Sequence, residues 1–161
     1  MISQEIGSSF EGLVSAQHVE YGMLGKAIAH HNRTVGRFVP GGKFVPDPDG
    51  SLPDFTVILK DRPAIIFMDA KSTGNEKRWT LSNRRCHQFE FMLKYSTQVG
   101  YCHGLFLVEC RPRATFYLLK VDEEIELNSR GLPFIRFDRE MHNLKSFRDY
   151  RCCDYLKHLD L

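Results

Sequence analysis

Pro53-Asp54-Phe55-Thr56-Val57-Ile58-Leu59-Lys60-Asp61-Arg62-Pro63-Ala64-Ile65-Ile66-Phe67-Met68-Asp69-Ala70-Lys71 is the stretch around which this chain is organised. Phe55 to Leu59 is a short β-branched and apolar run, Lys60 to Pro63 is turn material, and Ala64 to Met68 is a second apolar run; together they predict a β-hairpin. Side chains alternate along a strand, so Asp69 and Lys71 point to one face and Ala70 to the other. Asp54 precedes the first strand and Asp69 ends the second, so antiparallel pairing through a short turn sets the two carboxylates side by side. Hard divalent cations such as Mg²⁺ are held by one or two carboxylates, with waters and substrate phosphates completing the shell, and an adjacent lysine can hold a water or offset developing charge. The same residues also suit an ordinary hairpin that ends in a solvated Asp and Lys, and Asp-x-Lys alone does not separate the two readings.

Upstream, residues 8 to 24 carry Phe10, Leu13, Val14, Gln17, Tyr21 and Leu24 at helical intervals, predicting an amphipathic helix with Glu11 one position from its apolar stripe. A Glu so placed is ordinarily a solvated flank. Lys26 to His31 reads as a strand, and Gly41-Gly42 and Pro46 to Pro48 mark turns, which makes residues 34 to 52 a mobile arm. Downstream, Ser72 to Leu81 links the hairpin to a second helix, capped by Ser82 or Asn83 and running to about Gln98, with Cys86, Phe89, Met92, Leu93 and Ser96 on one side and Gln88 beside them. Arg84 and Arg85 fall in its first turn, where the macrodipole disfavours cations; phosphate contacts explain them better than helix stability does. Tyr101 to Glu109 and Ala114 to Val121 read as strands about a turn at Arg111 to Arg113, the first apolar enough to be covered on both faces. Phe147 to Leu161 reads as a terminal helix packing through Tyr150, Cys153, Leu156 and Leu159 or Leu161. The whole predicts an α/β fold, a mixed central sheet flanked by helices.

Three of these motifs form a known combination. Pro53-Asp54, followed by Asp69-Ala70-Lys71 at the end of an apolar strand, resembles the PD-(D/E)xK nuclease superfamily, and Ser8-Ser9-Phe10-Glu11-Gly12-Leu13 resembles the helix that supplies its additional acidic residue. Leu81 to Phe89 (Leu-Ser-Asn-Arg-Arg-Cys-His-Gln-Phe) and then Gly100 to Val108 resemble the His-Gln helix and following strand of the RecU-type Holliday junction resolvases, so that the likeness spans about residues 8 to 121. The chain departs from that pattern in carrying Asp69 where the family's common form has Glu, in lacking Asn-Arg-Gly before the first helix, and in reducing the family's basic stalk to residues 34 to 52.

The resemblance implies a restriction-endonuclease-like core and a metal-dependent, structure-selective DNA endonuclease that cuts four-way junctions in recombination and repair. It implies that Asp54, Asp69, the Ala70 carbonyl and Glu11, directly or through water, hold one or two Mg²⁺ ions, for which Mn²⁺ can substitute. Lys71 and Gln88 would position the attacking water, and the products would carry 5′ phosphates. Branched DNA is the implied partner, with Arg37 and Lys43 on the arm and Arg84 and Arg85 on the second helix as the expected phosphate contacts. A homodimer follows from the two cuts that a symmetric junction needs. Two rivals stay open: a restriction-like or repair nuclease of the same superfamily acting on duplex DNA, and a catalytically silent DNA-binding module.

Composition is compatible with these expectations. A chain of 161 residues with 42% hydrophobic and 26% charged residues has the size and make-up of one folded domain, here read as a single nuclease domain over 1 to 161 whose residues 122 to 161 extend the core. Net charge is only +2, but Lys26 to Pro46 and Lys71 to Lys94 are each locally basic and flank the acidic hairpin in sequence, which suits a polyanionic substrate. No stretch approaches the ~18 apolar residues of a membrane span, and the N-terminus lacks the basic and apolar regions of a signal peptide, so an intracellular, cytoplasmic protein is expected; the resemblance implies one of bacterial or phage type. The five cysteines include no Cys-x-x-Cys pair, and Cys86-His87 with Cys102-His103 matches no recognised zinc spacing.

Overall fold

A computed structural model describes residues 2–32, 36–46, 52–80, 87–121, 134–137, 144–148 and 153–159. In chain order the elements are α1 (Ile2–Met23), β1 (Ala27–His31), β2 (Gly36–Val39), β3 (Lys43–Pro46), β4 (Phe55–Leu59), β5 (Ile65–Thr73), β6 (Arg78–Thr80), α2 (His87–Gln98), β7 (Cys102–Cys110), β8 (Thr115–Val121), β9 (Phe134–Arg136) and β10 (Leu144–Phe147). Short 3₁₀ turns occupy Arg111–Arg113 and Tyr155–His158. β4 and β5 form the expected hairpin, with Phe55 opposite Met68 and Ile58 opposite Ile65. They lie inside a six-stranded sheet of order β1-β4-β5-β7-β8-β10. Every neighbouring pair in it is antiparallel except β5 and β7, which run parallel with α2 in the crossover.

Period-2 alternation along the two central strands divides the core between the sheet's two faces. Ile66, Met68 and Ala70 of β5 and Leu105 and Leu107 of β7 join Phe10, Val14 and Tyr21 of α1 in one cluster. Phe106 and Val108 join Met92 of α2, Leu119, Trp79 and Phe137 in the other, with Phe67, Phe89 and Leu93 packed against it. This is why the apolar run of β7 is unbroken: both of its faces are covered. Each large side chain so buried contributes about 1.5–3 kcal/mol. α2 can lie close to the sheet because position 104 is glycine; a Cβ there would sit 2.7 Å from Met92 Cβ. The Gly104 N–H also donates to Ser96 Oγ at 2.7 Å, fixing the helix against the strand.

The first strand, the hairpin, β7 and β8 fall where the sequence places them. α1 begins well before residue 8, and Leu24, expected on its apolar stripe, lies just past the helix and is 58% exposed. Within the arm, β2 and β3 form a separate two-stranded ribbon whose turn carries Gly41 and Gly42 at φ 95° and 76°, a backbone region open to glycine. The expected connector at 72 to 81 instead continues β5 to Thr73 and adds β6, which pairs with β9. The terminal helix expected at 147 to 161 is the largest correction. Phe147 is in β10, an edge strand on β8, and Cys153, Tyr155 and Leu159 are buried around a single 3₁₀ turn. Their helical spacing yields to an unfilled sheet edge and to polar anchors on α1: Tyr155 Oη lies 2.8 Å from His18 Nε2, and the Tyr21 hydroxyl donates to Asp154 Oδ1 at 2.8 Å. Tyr150 and Leu161 lie outside the described residues.

Candidate active site

The β4–β5 register places residue 54 opposite residue 69, one step beyond the Phe55 and Met68 pair. Asp54 therefore stands at the mouth of the hairpin, and its Oδ2 accepts the Ala70 N–H at 2.9 Å. Asp69 is fully buried on the β5 face opposite Ala70, and Lys71, two residues on, shares its face. Lys71 Nζ lies 2.7 Å from Asp69 Oδ2 and 3.7 Å from Asp54 Oδ2. Lys71 thus meets Asp69 at ion-pair distance through Oδ2, and Asp69 Oδ1 has no hydrogen-bond donor among the described residues.

Electrostatics follow from this geometry. Burial pushes the Asp69 carboxyl up to about 7; Lys71 opposes the rise and the Asp54 charge reinforces it. Glu11 on α1 is held above the ordinary carboxylate range by burial and by Asp54, against the pull of His31 and Lys71, so the helix does bring this third acid within electrostatic reach of the hairpin. Glu11 Oε2 lies 4.0 Å from His31 Nε2.

The donor set fits a hard divalent ion. A buried carboxylate oxygen without a donor, a second carboxylate beside it and an acid on the adjoining helix are what such an ion needs when waters and phosphate oxygens fill the remaining positions. Among the described residues no three His, Cys, Asp or Glu side chains converge into a protein-only cage.

Gln88 lies in the first turn of α2, on the side of the sheet that Phe67 shares, while Arg84 and Arg85 lie outside the described residues. Arg37 and Lys43 are exposed on the β2–β3 ribbon, beside Phe38 and Phe44, whose rings meet edge to face at 5.4 Å. One residue escaped the sequence reading. Asn32 Nδ2 donates to the Pro53 carbonyl at 2.7 Å and to Thr56 Oγ1 at 3.0 Å, and its N–H donates to the Asp54 carbonyl at 2.7 Å. It clamps the backbone on both sides of Asp54. Only the general habit of Asn to bond nearby backbone at turns points to it, and that signal names no partner.

A family model described as Recombination protein U matches residues 49–161, which include Asp54, Asp69, Lys71 and Gln88. The chain belongs to the RecU family. The matched span leaves out α1 and the β2–β3 ribbon, so family membership rests on the hairpin and everything after it. Among solved structures, Hjc of Archaeoglobus fulgidus, a Holliday junction resolvase from an archaeal hyperthermophile, is similar at 17% identity and a TM-score of 0.45 over 71% of this chain and 77% of that one. No curated protein sequence matches the chain.

Proposed function

We propose that this RecU-family chain is a Mg²⁺-dependent endonuclease that resolves four-way DNA junctions by hydrolysing phosphodiester bonds, with Mn²⁺ able to replace Mg²⁺. The observation that carries the reading is the buried Asp69 carboxylate with its open oxygen, set between Asp54 and Lys71. Asp54, Asp69, the Ala70 carbonyl and Glu11 are the residues that would hold the ion. When bound, it supplies Lewis-acid stabilisation of the charge that develops on the phosphate. Lys71 Nζ, within reach of both carboxylates, orients the attacking water and offsets the growing negative charge in the transition state. Gln88, on the same side of the sheet, is assigned to hold that water in line with the leaving 3′ oxygen, leaving a 5′ phosphate.

The ribbon cations Arg37 and Lys43, together with Arg84 and Arg85, are assigned to the DNA backbone. Two incisions on a symmetric junction require two such sites, so the working unit is a homodimer. A recombination substrate suits a cytoplasmic enzyme, and the likeness to the RecU-type resolvases favours a bacterial or phage-encoded one. The test is cleavage of a mobile four-way junction against linear duplex of the same sequence in Mg²⁺. Paired nicks in opposing strands of the junction, with duplex left intact, are expected. Equal cutting of both would make the chain a duplex nuclease, and no nicking of either would leave it a binding module.

A further inference from the structure

We infer that a second phosphate-binding surface lies just beyond the end of β5, where the β5–β6 loop meets the β7–β8 turn, and that it carries the backbone of a DNA duplex arm away from the cleavage site. The inference takes its ligand from the nuclease reading above; its residues lie outside those assigned there.

β5 and β7 end together, Thr73 opposite Cys110. Beyond them the chain turns into two cationic segments held against each other. The Cys110 thiol donates to the Asn75 carbonyl at 3.5 Å. The Arg111 guanidinium lies so close over the loop that a Cβ at Gly74 would sit 3.1 Å from its Nη2. Asn75 Oδ1 accepts the N–H groups of Lys77 and Arg78 at 2.9 and 3.1 Å, fixing the turn that leads into β6.

In β6, Trp79 is buried against Phe106, with ring centroids 5.0 Å apart, so Arg78 projects to the outer face. Directly opposite it in β9 stands Arg136, also exposed. Opposed positions on a ladder share a face, so both guanidinium groups leave the β6–β9 ribbon on its outer side. Arg113 is steadied by the Tyr117 hydroxyl at 3.4 Å, and Arg148 Nε donates to Thr115 Oγ1 at 3.1 Å at the start of β8. Against these cations the same end sets Glu76, which attracts Arg113, and Glu109, which accepts a 2.6 Å hydrogen bond from Ser72 Oγ. A chain whose net charge is only +2 has thus concentrated arginines at the end of its catalytic strand.

The spacing suits one continuous ligand. Three residue steps lead from Lys71 to Gly74, about 10 Å at ~3.3 Å per residue, which is about three nucleotide steps at ~3.4 Å of rise per strand. Guanidinium groups fit phosphate oxygens bidentately and carry no base preference by doing so, as a structure-selective enzyme requires.

The experiment measures binding of a plain duplex and of a four-way junction over a salt series, with Ca²⁺ in place of Mg²⁺ to suppress cutting. Arg78→Gln with Arg111→Gln is compared with wild type and with Arg78→Lys and Arg111→Lys. The Gln pair is expected to flatten the slope of log binding constant against log salt by about 1.8, at ~0.9 per lost contact, on both substrates, with the Lys pair restoring most of it. Melting curves establish that each variant is folded. An unchanged slope in a folded Gln pair overturns the surface. Wild-type protein that binds DNA in Ca²⁺ but never nicks it in Mg²⁺ overturns the nuclease reading instead, and the slopes still decide the surface.

Discussion

Glu11 and His18 sit two turns apart on α1, and each borders a cluster of buried polar side chains; the clusters are built on opposite terms. Around His18 a chain of partners runs from α1 to the C-terminal segment: Tyr155 on the imidazole, Asp154 on the Tyr21 hydroxyl, the Leu156 N–H on the same hydroxyl at 3.2 Å, and Lys157 Nζ on Asp154 at 2.7 Å. Around Glu11, Asp69 is buried with an oxygen that no described residue satisfies, and its proton affinity and that of Glu11 are both raised. A satisfied buried network fastens the C-terminal segment to α1, whereas buried carboxyls left short of donors are the pattern that functional sites share.

The sharpest way to break this contrast is to remove charge from the second cluster. Asp69→Asn is expected to abolish junction cleavage in Mg²⁺, at least a thousand-fold in single-turnover rate, while junction binding in Ca²⁺ stays within a few-fold of wild type. Near-normal cutting by this variant would remove Asp69 from the metal site. Lys71→Ala is expected to slow single-turnover cleavage by roughly a hundred-fold, the scale of one positioned catalytic group. Its fold should persist because the buried carboxyl it leaves behind can take up a proton; a variant that cuts at the wild-type rate would strip Lys71 of its role.

Stability separates the clusters through pH. In the metal-free protein Asp69 holds its proton up to about pH 7, against 3.8 for an ordinary Asp, so its contribution is full below about pH 4 and is lost as pH rises towards 7. His18 is depressed to about 4 from 6.5 by burial and by the neighbouring His31, so its contribution is full above 6.5 and is lost as pH falls towards 4. The two slopes oppose one another, each worth a few kcal/mol at about 1.4 kcal/mol per pKa unit. Urea melts of metal-free Asp69→Asn should therefore show stability climbing between pH 4 and 6.5, and those of His18→Gln should show it falling from pH 4 to 7. Parallel profiles in the two variants would refute the contrast. The smallest effect belongs to Tyr155→Phe, which removes one buried hydroxyl and should cost about 1–2 kcal/mol without altering the cleavage rate; a slowed single-turnover reaction would tie the two clusters together.

The hairpin was legible because its information is local: two apolar runs, a turn between them and a register that follows from their lengths, so the positions of Asp54 and Asp69 reduce to counting along paired strands. The faces of β7 were legible for the same reason. What the sequence concealed depends on partners distant in the chain. β10 is a strand because the edge of β8 is open to it, and Tyr155 is anchored by a histidine 137 residues earlier, so helical spacing near the C-terminus misled. Arg78 and Arg136 are nearly sixty residues apart, and no reading of either segment alone makes them neighbours. Asn32 was silent for the same reason: its partners lie 21 and 24 residues downstream.

That asparagine has a further consequence. By joining residue 32 to residues 53 and 54 it ties together, at hydrogen-bond distance, the two points between which the chain carries the β2–β3 ribbon. Lengthening the chain between them is thermodynamically inexpensive, about 0.6 kcal/mol for each doubling, and the clamp confines the change to the far side of the two points. The ribbon behaves as an exchangeable attachment. Its reach can be lengthened or trimmed while the carboxylate a residue away keeps its place.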